Sequence, residues 1–259
     1  MDNLVLDALN KFMKRIVIHK KEYNPKWKEN VPERKENKNP IHIIIHEKED
    51  QLEDGFSEYP ECEFIYNEYS LQHLLGYFLR NELKDKGFRV EFERNIGFFG
   101  AKKEPYLIKD NKSVKKFLDG DKKPFVKSEV DICLYNKSEK YAIELKFPRN
   151  GQYPEEMYSF VKDIKFMEQL KKQDFTKTYC LCLVDDKNFY GQNNPKLETS
   201  GIYEYFRKAK KIGGEIVKPT GKDKGTEKIE IKGKYDVNWR PIEGFEGSQF
   251  RYYIIEVCD

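Results

Sequence analysis

The chain has 259 residues, 38% hydrophobic and 36% charged, and its 18 Phe and 17 Tyr supply apolar area that excludes disorder over most of the length. No apolar run approaches the ~20 residues that span a bilayer, so no membrane partner is expected. Five cysteines without a CxxC pair indicate neither a disulfide framework nor a zinc knuckle. The formal net charge of +3 hides segregation: residues 47–68 sum to −8, 101–127 to +5 and 207–234 to +6. Two basic blocks suit a polyanion partner, and solvated Lys-rich loops are the plainer alternative.

In chain order, Leu4, Leu6, Leu9, Phe12, Met13 and Ile16 predict a helix over about 3–17. The opening MDNLVLDALNKF has no signal-peptide core, which with the unpaired cysteines predicts a reducing cytoplasm. Residues 19–40, polar with three prolines, read as an extended arm, and IHIII (41–45) as a short strand. Residues 1–50 then form an N-terminal helix and arm, and 51–259 one further domain. In NEYSLQHLLGYFLRNEL (67–83), Leu71, Leu74, Leu75, Phe78 and Leu79 mark an amphipathic helix, with Gly87 at its stop. RVEFERNI (89–96) alternates as a strand, and 98–127 reads as a basic loop or insertion. EVDICLYN (129–136) and YAIELKF (141–147) are strands joined by a turn.

Pro154 opens a helix to about Lys172 with Met157, Phe160, Val161, Ile164 and Met167 on one face. TYCLCLV (178–184) has the length and apolarity of a central strand. A helix at 201–211, a Gly/Lys-rich loop and strand-like segments at 227–240 and 250–257 follow. The order predicts an α/β fold, a central mixed β-sheet flanked by helices.

Chemistry concentrates in EVDICLYNKSEKYAIELKF. A turn centred on Ser138 puts Asp131 opposite Leu145, between Glu144 and Lys146. Glu144 and Lys146 share one face of their strand, and cross-strand neighbours lie ~5 Å apart. Two carboxylates at that range suit one Mg²⁺, with a lysine beside the attacking water. The tripeptide [DE]xK alone carries no weight, since it occurs nine times in the chain. The copy at Glu144 is the one with an Asp-bearing hairpin partner and a helix on either side. A structural cross-strand ion pair on a solvated face is the competing reading.

On these residues the chain resembles the PD-(D/E)XK nuclease superfamily, the restriction-endonuclease-like fold, over roughly 67–185. The resemblance implies a core in which a helix feeds a three-stranded meander, followed by a helix and a further strand (αβββαβ). It implies Asp131 and Glu144 as ligands of Mg²⁺ (Mn²⁺ can substitute), the Leu145 backbone carbonyl as a third, and Lys146 as the residue that positions or activates water. Val130 stands where many members carry proline. Many members also carry a glutamate on the first helix; Glu68 and Glu82 both project near the apolar stripe, and an early position favours Glu68. The implied partner is double-stranded DNA, with a homodimer as a common arrangement.

Candidate phosphate contacts are Lys102, Lys103, Lys122, Lys123 and Lys127 of the basic insertion, with Lys165 and Gln169 of the second helix. Phe98, Phe99, Tyr106, Phe117 and Phe125 among those lysines either stack bases or pack a loop. His42 and His46 would stand ~13 Å apart in a strand, too far for one metal. The expected activity is a Mg²⁺-dependent DNA phosphodiesterase; the alternative is a non-catalytic nucleic-acid-binding or regulatory protein on the same fold.

Overall fold

The structure is a computed structural model and describes residues 3–18, 41–44, 62–96, 125–149, 151–191 and 201–257. Helix α1 (Leu4–Lys14) buries Val5, Ala8, Leu9, Phe12 and Met13. The helix predicted to 17 stops three residues earlier, because Ile16–Ile18 is strand β1; three β-branched residues in a row prefer the pleated backbone. β1 pairs with β2 (Ile41–Ile44), and β2 with β3 (Cys62–Ile65), in an antiparallel three-stranded sheet. The acidic stretch gave no sign of β3. The arm predicted at 19–40 lies outside the described residues.

Helix α2 (Glu68–Glu82) starts where Asn67 and Ser70 form a reciprocal capping box, and it ends in a 3-10 turn at Lys84–Lys86. Gly87 follows in the left-handed region, φ +70°, which a residue without Cβ adopts at no steric cost. Three antiparallel strands come next: β4 (Arg89–Asn95), β5 (Glu129–Tyr135) and β6 (Lys140–Lys146). Helix α3 (Tyr153–Lys171) then crosses over to β7 (Lys177–Val184), which lies parallel to β6.

The predicted helix at 201–211 is shorter: α4 spans Ile202–Arg207, and Ala209 has φ +53°. Part of the expected loop is strand β8 (Ile212–Val217), paired with β9 (Lys228–Tyr235). β10 (Arg240–Pro241) and β11 (Arg251–Val257) close the central sheet, whose order is β10–β11–β7–β6–β5–β4.

Alternation along the central strands divides the core into two layers. Ile143 and Leu145 of β6, Phe147 just after it, and Tyr179, Leu181 and Leu183 of β7 face α1 and α2. Ala142, Cys180, Cys182 and Val184 face α3, α4 and the β8–β9 hairpin. Burial pushes the Cys133 thiol up to about 12 and raises those of Cys180 and Cys182 well above their ordinary value, so all three act as small core residues. Glu168 of α3 fixes the hairpin by accepting hydrogen bonds from the Lys232 and Gly233 amides and the Tyr235 hydroxyl.

The α2 cap places Glu68 at the helix end where the positive dipole favours an acid. Asn67→Ala should destabilise the protein by about 1 kcal/mol, measured by urea unfolding; an unchanged midpoint would show that Ser70 alone suffices.

Candidate active site

The hairpin β5–β6 turns through Lys137 and Ser138, with Asn136 Oδ1 accepting the Ser138 and Glu139 amides. Its centre therefore falls between Lys137 and Ser138. The pairing Ile132 opposite Ile143 and Cys133 opposite Ala142 brings Glu144, not Leu145, level with Asp131. This corrects the expected register by one residue. It also puts Asp131 and Glu144 on the same face, since directly opposed residues of an antiparallel pair share a face.

Pairing between β5 and β6 stops at Ile132–Ile143, whereas β5 stays paired with β4 as far as Glu129. At this opening side chains take over the backbone groups. Asp131 N–H donates to Glu144 Oε1 at 3.2 Å, and Leu145 N–H donates to Asp131 Oδ2 at 2.7 Å. The buried Gln72 amide of α2 donates to the Asp131 carbonyl and to Glu93 Oε1, each at 2.7 Å. Lys146 Nζ donates to the Leu145 carbonyl and to Glu68 Oε1, both at 2.9 Å, while Glu68 Oε2 accepts the Phe147 amide at 3.0 Å.

Two further residues complete the cluster. Asp163, buried on α3, accepts from Lys127 Nζ through Oδ1 at 3.1 Å, and its Oδ2 lies 3.8 Å from Lys146 Nζ. Lys127 also forms an ion pair with Glu144. Sequence reasoning missed Asp163 as a site residue, although a signal existed: it stands within the apolar stripe of Phe160, Ile164 and Met167, where a carboxylate is costly without a partner. Lys127 was expected at a phosphate, and its aperiodic surroundings gave no hint of the carboxylates.

Of the two glutamates on α2, Glu68 meets Lys146, whereas Glu82 at the far end pairs with Lys11. Lys165 is engaged by Glu168 and the Glu230 carbonyl, and Gln169 accepts the Val126 amide at 3.0 Å. Lys102, Lys103, Lys122 and Lys123 lie outside the described residues, as do Phe98, Phe99, Tyr106 and Phe117; Phe125 packs edge-on against Phe166. In the basic block 207–234, Lys210 pairs with Glu204, Lys211 with Asp236, Lys218 with Glu227 and Lys228 with Glu215.

Burial pushes the Asp131 carboxyl up to about 6, against the pull of Lys127 and Lys146. Burial, with Asp131 and Asp163 beside it, raises Glu144 well above the carboxylate range. Burial works against both ammonium groups, yet Asp163 with Glu144 holds Lys127, and Asp163 with Glu68 holds Lys146, above their ordinary values. At the rim, burial and the charge of Glu68 raise the Glu156 carboxyl as well.

The donor set has the chemistry of a hard divalent cation: carboxylate and carbonyl oxygens, and a buried Asp163 Oδ2 with no hydrogen-bond partner. Among the described residues no three His, Cys, Asp or Glu side chains are gathered tightly enough to hold a metal ion as they stand. Lys127 bridges two of the carboxylates instead. A cavity of about 550 Å³ lies elsewhere, lined by Pro154, Tyr203, Tyr205, Lys218 and Thr220. It contains none of the candidate residues, and the carboxylate cluster is the better site on chemical grounds. No helix among the described residues is long and apolar enough to cross a membrane.

No protein-family model, curated protein or solved structure matches the chain. The architecture defines its class as α/β, a six-stranded mixed sheet flanked by helices, and the functional reading rests on the geometry of the site.

Because the folded state holds the Asp131 proton to higher pH than the unfolded chain does, this group costs stability as pH rises from about 4 to about 6. Asp131→Asn should therefore gain on the wild type by up to about 3 kcal/mol between pH 4 and pH 7 in urea unfolding. Parallel pH profiles would show that the carboxyl titrates as in the unfolded chain.

Proposed function

We propose that the protein is a Mg²⁺-dependent phosphodiesterase acting on double-stranded DNA, an endonuclease of the restriction-endonuclease-like class. The observation that carries this reading is the meeting of Asp131, Glu144, Lys146 and Glu68 where β5 and β6 part. The order α2–β4–β5–β6–α3–β7 supports it, being the helix, meander, helix and strand that the resemblance implies. A cytoplasmic setting and a homodimer able to cut both strands belong to the same proposal.

Asp131, Glu144 and the Leu145 carbonyl would hold Mg²⁺ or Mn²⁺. When bound, the ion supplies Lewis-acid polarisation of the phosphate and a lowered pKa for a water at the site. Lys146 has the neighbours of a permanent cation: its raised pKa keeps it an ammonium, so it donates hydrogen bonds and stabilises negative charge developing on phosphorus rather than removing a proton. Glu68 orients Lys146 by accepting its hydrogen bond and is itself fixed by the Phe147 amide. Gln72 holds the β5 end of the site against α2.

The block 207–234 would grip the phosphate backbone. Its described ion pairs are largely exposed and therefore weak, so phosphates can displace them. The alternative, a non-catalytic nucleic-acid-binding protein, draws on the Lys127–Glu144 pair, which already neutralises a carboxylate without a metal.

Supercoiled plasmid incubated with Mg²⁺, Mn²⁺ or EDTA separates the two. Nicked or linear product should require a metal and should fall by about 100- to 1,000-fold in Lys146→Ala, the scale of a lost charge-stabilising donor. Full activity in that variant overturns the assignment. Salt-sensitive binding without metal-dependent cleavage favours the alternative.

A further inference from the structure

Lys127 is the one residue of the cluster that is neither on a strand of the central sheet nor on a helix flanking it. It stands just before β5, in a segment held by the Val126 amide on Gln169 Oε1 and by the Phe125 ring on Phe166. Its side chain keeps 28% of its exposure, whereas the carboxylates it bridges, Glu144 and Asp163, keep 1% and 4%. The ammonium thus plugs a buried carboxylate pair from the solvent side.

We propose that the seat bridged by Lys127 is the cation site itself: Asp163 is a further metal ligand beside Glu144 and Asp131, and Lys127 is a built-in counter-cation that a divalent ion must displace. This rests on the nuclease reading of the same site. Three observations support it. The seat already holds a cation, bonded to carboxylates from two different elements. Asp163 Oδ2, buried and aimed into the cluster, makes no hydrogen bond, its nearest cation being Lys146 Nζ at 3.8 Å, and it offers an oxygen to an ion that takes several.

Charge is the third. Asp131, Glu144, Asp163 and Glu68 carry four formal negative charges against two positive ones from Lys127 and Lys146, a balance of −2. Exchanging Lys127 for a divalent ion brings the balance to −1. Lys146 cannot serve as the exchanging group, because it lies in the β6–β7 ladder opposite Cys182 and donates to the Leu145 carbonyl. Displacement of Lys127 breaks no pairing of the central sheet, and it delivers a positive charge to the solvent side, where substrate phosphates would arrive.

Mn²⁺ binding to the DNA-free protein, followed by calorimetry, tests the exchange without any activity readout. Lys127→Met should bind Mn²⁺ at least about 10-fold more tightly than the wild type, and Asp163→Asn at least about 10-fold more weakly. In the wild type, which meets no folding problem, Mn²⁺ should raise amide exchange over residues 125–128 as the segment is released. Wild-type binding that Lys127→Met leaves unchanged or weakens, or a 125–128 segment that metal leaves equally protected, overturns the inference while the nuclease reading stands. Wild type and Lys127→Met both failing to bind Mn²⁺ at millimolar concentration overturns the reading and the inference together.

Discussion

The site depends on one local event, the parting of β5 from β6 after Ile132–Ile143. A sheet that opens in the interior leaves backbone N–H and C=O groups that must find partners or cost a lost hydrogen bond each. Here every partner named is a side chain: Glu144 for the Asp131 amide, Gln72 for the Asp131 carbonyl, Asp131 for the Leu145 amide and Lys146 for the Leu145 carbonyl. The polar groups that would be anomalous on an apolar strand are thus the ones that make the opening stable. Their positions are fixed by backbone geometry on both sides, a degree of preorganisation that surface ion pairs do not reach.

Burial at that opening, with neighbouring carboxylates adding to it, raises the proton affinity of Asp131 and Glu144. Two ammonium groups keep the cluster tolerable, and they differ in mounting. Lys146 is tied into the sheet and to Glu68 on α2, so its charge is a fixed part of the site. Lys127 hangs from the segment ahead of β5, bonded to one carboxylate of the sheet and one of α3. The same functional group is a permanent fixture in one mounting and an exchangeable counter-ion in the other.

Much of the sheet was legible because its strands alternate between two different layers. The period-two pattern in EVDICLY and YAIELKF located β5 and β6 to within a residue, and helix periodicity located α2 and α3. Failures came where tertiary pairing overrides local pattern. β3 lies in an acidic stretch, β8 contains two glycines, and β1 was absorbed into the apolar stripe of the preceding helix. The register error has a different cause: an odd-numbered turn centre and an even one fit the same NKSEK, and only the Asn136 hydrogen bonds select the two-residue loop. Asp163 was missed because its partners come from β6 and from the segment before β5, at sequence separations that no spacing rule connects.

Charge counting along the chain says nothing of local pairing. The block 207–234 reads as a free reserve of positive charge, yet four of its lysines already have acidic partners nearby. Exposed pairs of this kind contribute little and are screened by salt, so they yield readily to a phosphate backbone. The buried cluster behaves oppositely, since removing one partner there strands an uncompensated charge in a low dielectric. Here the exposed pairs lie on the hairpin surface and the buried pairs where the sheet opens, so the first can rearrange without disturbing the second.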